Sequence, residues 1–397
     1  MTETLRLGSY GNHIFLPKSM IGDLPQYDAC VASLVHAETQ GREFVLCADA
    51  TDALNPASGW TGEFSDLLEG APDPDAAFTM EPVIASAAAR TSSVRFVWGP
   101  VDCVRRAPVN IAQAVLTLHH ASRGRCDVIL AHGQQNHMRQ FGISRKGTAD
   151  KLWDTVQIVR RMFHQSTPFS YRGRVWSFDN GMLALPHYGD TPPRLWIAGG
   201  GAETLELVGR FGDGWVDCVP GMDDDDPAEF ARKIGVIRDH ARRVGRDPDS
   251  IRVLALLCCI MSDDRDGLAE LIDHPIVRWA ALVGASAQTY AKWGLPFPYG
   301  GDYNYFRDVI PEWVSREEYL DVTSRIPREA VRRALYFGTA DDVIARIEPW
   351  LACGVTDVVF YNPAALCGRR HMAGAMAAEG RLAQALAGRP VDRAGLA

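Results

Sequence analysis

The sequence predicts an α/β protein, a closed (β/α)8 barrel, on three observations. Eight apolar, β-branched runs alternate with helix-patterned segments along the 397 residues, an order that buries parallel strands beneath helices. Each gap between runs leaves room for a crossover helix, and right-handed crossovers favour closing such a sheet on itself. Residues 94–102 (VRFVWGPVD) read as a buried strand. It stops at Gly99-Pro100 because proline has no amide to give to a ladder. An open doubly wound sheet is the alternative for the same alternation. In both architectures the site lies at the carboxyl ends of the strands, so Gly99-Pro100 marks its floor.

In chain order, residues 5–9 form a short opening strand and residues 29–38 have helical spacing. Residues 43–48 are the second strand, ending at Asp49. A long Asp-, Pro- and Gly-rich connection follows at 50–74, and loops of that length inside a domain are usually functional. An alanine-rich helix at 82–89 leads to the third strand, and a helix at 109–120 leads to the fourth, 127–131. The segment 149–163 is amphipathic, with Leu152, Val156, Val159 and Phe163 on one face. Residues 168–188 alternate aromatic and polar and read as a hairpin-like excursion. Strands five to eight are 195–198, 214–217, 252–261 and 357–361. The acidic run 223–226 precedes a helix at Pro227, where negative charge suits the helix start. The whole chain, 1–397, reads as one barrel domain, with 262–335 a long, mostly helical insertion before the last strand.

Composition narrows the partners. A net charge of −8 argues against nucleic acid or an anionic membrane surface. No run of 18 apolar residues and no basic-then-apolar start is present, so the expectation is a soluble, cytoplasmic protein acting on a small molecule. The nine cysteines show no CxxC spacing and several sit in strand-like runs, which fits reduced thiols. No GxSxG, HExxH or clustered His-Cys spacing supports a serine hydrolase or a metal enzyme.

Four strand ends carry chemistry. Ala198-Gly199-Gly200-Gly201-Ala202 joins strand five to a helix, and free amides at a helix start, flanked by glycine, make an anion seat. Glu203 is awkward there and should point away. His132 and His137 follow strand four, with Gln134 between them; histidine is the natural proton donor near neutral pH. Asp49, Asp102, Arg105 and Arg106 are charged groups at the ends of strands two and three. His119 and His120, at a helix end, read as structural. Trp60, Phe64, Trp293 and Tyr303 are candidates for an apolar pocket wall.

Four stretches, 108–125 (PVNIAQAVLTLHHASRGR), 193–215 (PRLWIAGGGAETLELVGRFGDGW), 301–311 and 336–358, together resemble the bacterial-luciferase-like flavin and deazaflavin oxidoreductases. They are most like the actinobacterial branch that includes the phthiodiolone dimycocerosate ketoreductases. The resemblance implies a luciferase-like (β/α)8 barrel and a homodimer. It also implies coenzyme F420 as hydride carrier for a carbonyl, imine or alkene, or alternatively FMN with oxygen in a monooxygenase. It places the cofactor on Asp49, Gly99, Pro100, Val101, Gln134, Ala198, Gly199, Gly200, Gly201 and Ala202, with a cis bond expected at Gly99-Pro100. It assigns acid–base work beside Asp49, where relatives carry a histidine. This chain has Ala50 there and Gln134 where relatives carry an acid, so His132, His137 and Asp49 become the catalytic candidates. A third reading is a barrel without redox activity, serving a binding or non-redox role.

Overall fold

The computed structural model describes residues 3–11, 14–51, 53–219 and 226–392. Eight parallel strands close into a ring: β1 (Arg6–Tyr10), β2 (Phe44–Cys47), β3 (Arg95–Asp102), β4 (Cys126–Ala131), β7 (Leu195–Ala198), β8 (Gly214–Val219), β9 (Arg252–Met261) and β11 (Asp357–Tyr361). The ring is shut by β9, which pairs with β8 on one side and with β11 on the other, and by β11 pairing with β1. This closure excludes the open sheet. The excursion after β4 is an antiparallel hairpin, β5 (Phe169–Arg172) with β6 (Ser177–Gly181). One strand escaped the sequence reading: β10 (Tyr336–Gly338) pairs with the far end of β9, outside the ring. Three residues are too few for a pattern to register.

A helix follows each ring strand and packs outside it: Gln26–Thr39, Met80–Ala88, Pro108–Ala121, Thr148–His164, Ala202–Phe211, Pro227–Arg243, Ala340–Leu351 and Arg369–Leu386. Their starts are set locally. Thr339 and Asp342 form a reciprocal capping box on Ala340–Leu351. Asp226 caps Pro227–Arg243 through the Ala228 N–H; the rest of the acidic run, Asp223 to Asp225, lies outside the described residues. Between β9 and β10 the chain makes six short helices. These carry their own apolar core, which includes Trp60, Trp279, Tyr290 and Tyr319.

Side chains alternate across each strand, and one face fills the ring. Phe44, Leu46, Val97, Ile129, Trp196, Val216, Leu254 and Val359 form that interior. Gly8 and Gly214 make room for it: a β-carbon at Gly8 would stand 2.3 Å from the Phe44 ring, and one at Gly214 2.1 Å from the Trp196 ring. At the amino ends the ring is closed by charge. Arg6 and Arg252 each donate to the fully buried Asp357 at 2.7 Å, and Arg95 donates to Asp127 at 2.7 Å.

Candidate active site

The carboxyl end of the ring is built from small and half-buried residues. Between Trp98 and Val101 the pairing of β3 with β4 slips by one residue, a bulge, and Gly99-Pro100 in this bulge is a cis peptide. Gly99 has φ +132°, and a β-carbon there would lie 2.5 Å from the Ile129 carbonyl oxygen, so only glycine fits. Val101 and Asp102 behind it are buried.

Asp102 accepts the N–H groups of Val104 and Arg105 at 2.9 and 2.7 Å and also binds the Arg105 guanidinium. Burial pushes its pKa up, but Arg105 and those amides prevail and hold it below the usual carboxylate range. Arg105 Nη2 and Arg106 Nη1 both donate to Asp49 Oδ2, at 2.8 and 2.6 Å. Arg106 also reaches Glu81 at 3.3 Å and lies over the Trp98 ring. Asp49 is thus the knot tying the end of β2 to the end of β3, and its acceptor oxygen is spoken for by two cations.

Beyond β4, the Gly133 carbonyl accepts from Arg145 Nε at 2.9 Å. His132 is half-buried; burial foremost, and Arg145 next, lower its pKa against the pull of Glu203, so the ring is neutral near pH 7. Gln134 Oε1 is buried and accepts no hydrogen bond from the described residues. His137 lies in the short helix Asn136–Arg139 and is buried. The Gln135 N–H donates to the Phe306 carbonyl at 2.8 Å, so the insertion reaches the rim of the mouth.

After β7, Gly201 is the N-cap of Ala202–Phe211 and no side chain caps that end, leaving the first amides for a ligand. Gly199 has φ +123°, and its carbonyl accepts from Trp215 Nε1 at 2.9 Å. A β-carbon on Gly199 would stand 3.9 Å from His132 Nδ1, and one on Gly200 3.1 Å from Lys233 Nζ. The strand-four histidine and a lysine from Pro227–Arg243 therefore flank the glycine run. Glu203 points outward to Arg174, at 3.1 Å.

The far wall of the mouth comes from β8, β9, β11 and β1. Alternation continues the interior faces to Cys218, Cys258, Tyr361 and Tyr10, and the Tyr10 and Tyr361 rings lie 5.4 Å apart. Tyr361 is 41% exposed although it stands on a ring strand, the mark of a group lining an opening. All nine cysteines are free; Cys218 and Cys258 are only half-buried. No group of three metal-ligating side chains occurs among the described residues.

The structure brings Gly99, Pro100, Val101, His132, Gln134 and the Gly199 to Ala202 run to one end of the ring. The four aromatic wall candidates join the insertion's own core instead: Trp60 is buried in it, Phe64 packs on Tyr319, Trp293 on Tyr290, and Tyr303 stacks on Tyr299 at 4.5 Å. His119 accepts the Tyr188 N–H at 3.1 Å and His120 Nε2 meets the Pro186 carbonyl at 2.9 Å, both structural contacts. Sequence reasoning missed Lys233, which carries no local mark on its helix, and Tyr361 and Tyr10, whose positions at strand ends were signal enough.

A closed parallel barrel with a glycine run, an uncapped helix start and a cis-peptide bulge at its carboxyl end carries these features where the sites of α/β barrels lie. The chain belongs to the luciferase-like monooxygenase family, an oxidoreductase family whose model matches residues 19–357. It is 26% identical over 334 residues to the phthiodiolone/phenolphthiodiolone dimycocerosates ketoreductase of Mycobacterium bovis, covering 83% of this chain and 86% of that one. It is 28% identical over 181 residues to the F420-dependent hydroxymycolic acid dehydrogenase of Mycobacterium tuberculosis, covering 44% of this chain and 47% of the other. Among solved structures it resembles an F420-dependent secondary alcohol dehydrogenase holding an F420-acetone adduct (TM-score 0.67, 17% identity, 96% and 99% of the two chains). It also resembles a riboflavin lyase with modified FMN (TM-score 0.62, 16% identity, 98% and 93%). At such identities the structural likeness speaks for the fold. Among the described residues no helix is long and apolar enough to cross a membrane.

Proposed function

We propose that this chain is a coenzyme F420-dependent oxidoreductase, transferring a hydride to or from a carbonyl, imine or alkene of a small organic substrate. The observation that carries the reading is the seat at Gly199-Gly200-Gly201 with Lys233 beside it, sharing one mouth with the Gly99-Pro100 bulge, in a chain whose relatives include an F420-dependent dehydrogenase. The residues fit such a group. The open helix start and Lys233 suit a phosphate. Gly99 lets a flat ring approach the backbone, and the unpaired Gln134 Oε1 is an acceptor for a ring N–H.

When bound, the deazaflavin supplies the hydride chemistry, and the protein supplies orientation and proton delivery. In this reading Asp49 fixes Arg105 and Arg106 at the rim, while Val101, Ala198 and Ala202 shape the seat. His132, His137 and Asp49 are the acid–base candidates, of which His132 stands nearest the seat. FMN with oxygen is the second reading, favoured by one observation: Ala50 follows Asp49 where a carbonyl-reducing relative would place an imidazole.

Fluorescence titration of the purified chain with F420 and FMN, each oxidised and reduced, tests the choice. Micromolar or tighter binding of F420 and weak binding of FMN is the expected result. Binding of FMN alone moves the chain to the second reading. Binding of neither overturns both and leaves the redox-inactive barrel.

A further inference from the structure

In a ring of eight, three strands lie on each side between any strand and the one it faces. In the order β1, β2, β3, β4, β7, β8, β9, β11, β3 with its Gly99-Pro100 bulge therefore faces β9, and β4 with His132 and Gln134 faces β11. The residues assigned to the coenzyme stand at the ends of β2, β3, β4 and β7, one half of the mouth. A substrate laid on the open side of the coenzyme looks toward the other half, which carries two phenols, Tyr10 and the more exposed Tyr361.

We infer that Tyr361, backed by Tyr10, hydrogen-bonds the reacting oxygen of the substrate and gives it a proton. This rests on the hydride-transfer reading above. Tyr361 ends β11 on the interior face, two residues beyond the buried interior residue Val359. Its surface is 41% exposed within the mouth, and among the described residues its hydroxyl makes no hydrogen bond that would hold it back. Tyr10, on the neighbouring β1, packs against its ring and fixes its direction.

Among the described residues the titratable groups acting on Tyr361 are Tyr10 from β1, Cys258 from β9 and Cys367 beyond β11, with no cation or carboxylate among them. Although part of its surface is open, the barrel walls around the ring desolvate it, and this first, then these thiols, push its pKa up, so the phenol carries its proton throughout the neutral range. The same causes push Tyr10 up, with Cys218 and Cys47 also nearby. His132 sits differently, against Gly199 on the seat side of the mouth.

The step balances. A ketone carbon receiving hydride from the reduced deazaflavin gains two electrons as the C=O π bond opens toward oxygen. The Tyr361 O–H bond breaks, its proton passes to that oxygen, and the product is a secondary alcohol. Water in the mouth returns a proton to the phenolate, and the ketone is reduced as the deazaflavin is oxidised.

The test compares the full-length wild type with Tyr361→Phe, Tyr10→Phe and His132→Ala. F420 binding is followed by fluorescence, reduction of a series of straight-chain 2-alkanones by the recovery of F420 absorbance, and 2-alkanone affinity for the oxidised F420 complex by calorimetry. Tyr361→Phe should bind F420 within about twofold of wild type. It should bind the best ketone about tenfold more weakly, as one hydrogen bond requires, and turn over about 10²- to 10⁴-fold more slowly. Tyr361→His should recover part of the rate with an optimum near neutral pH. Tyr10→Phe should lose less than Tyr361→Phe, and His132→Ala less again.

Unchanged ketone affinity and rate in Tyr361→Phe overturns the inference. So does a wild type that binds reduced F420 yet neither binds nor reduces any of the ketones. A wild type that binds no F420 removes the coenzyme reading itself, a failure distinguishable from the other two.

Discussion

At the amino end of the barrel, Arg6, Arg252 and Asp357 fill the ring with paired charge, and Arg95 with Asp127 does the same one strand-pair away. At the carboxyl end the same alternation of side chains delivers Gly99, Ala198, Cys218, Cys258, Tyr10 and Tyr361, small or half-buried groups around an opening. Both ends obey one strand geometry, so the difference lies in what the residues leave behind. Charges at the amino end satisfy one another and close the ring. Glycines, an open helix start and an unpaired Gln134 oxygen at the other end leave contacts for a visitor to complete. Variants at the amino end should therefore cost stability and spare binding, and variants at the mouth should do the reverse.

The largest effect on stability is expected at Asp357. Replacing it with Ala strands Arg6 and Arg252 in the interior, and breaking a buried pair this way costs about 3–5 kcal/mol. Urea unfolding should show that loss while F420 affinity in the folded fraction stays the same. A stable variant that no longer binds F420 would erase the contrast between the two ends.

Acid should strike the same closed end. His119, buried near Asp127 and Arg95, has its pKa lowered to about 4, chiefly by burial. A folded value below the unfolded one means that the unfolded chain binds the extra proton. Stability is then full above about pH 6.5 and falls as pH drops toward 4, by on the order of 2–3 kcal/mol. Denaturation at pH 7, 5.5 and 4.5 should show this slope, and His119→Gln should flatten it; an equal slope in both would remove His119 as the cause.

Smaller effects should appear at the mouth. Gly99→Ala forces a β-carbon against the Ile129 carbonyl at a φ that L residues avoid, a strain of about 1–3 kcal/mol. It should weaken F420 binding at least tenfold while moving the urea midpoint only modestly. Lys233→Met should weaken F420 binding by roughly tenfold, the worth of one contact to a charged group, and lowering the salt concentration should widen the difference from wild type. No change in affinity would take Lys233 out of the seat.

The barrel was legible in the sequence because strands buried on both faces read as continuous apolar runs, and all eight ring strands lie where those runs stand. β10 was not legible, being three residues that add to the end of β9. The glycine run after β7 announced itself by its own composition. Asp49 did not reveal its partners, since Arg105 and Arg106 lie 56 and 57 residues away and meet it only once β2 and β3 pair side by side. Nothing in the sequence marks Lys233; its approach to Gly200 depends on how Pro227–Arg243 packs. The aromatics at 60, 64, 293 and 303 were read as pocket wall because composition cannot say which aromatics find one another, and these found the core of the insertion.

The mouth is the place proposed for the coenzyme. A crystal structure of the chain grown with F420 tests it most directly. It should place the phosphate on the amides of Gly199 to Ala202 within reach of Lys233, and the ring between Gly99-Pro100 and the Tyr361 side of the barrel. F420 bound elsewhere, or bound in the mouth with its ring turned away from Gly99-Pro100, would contradict it.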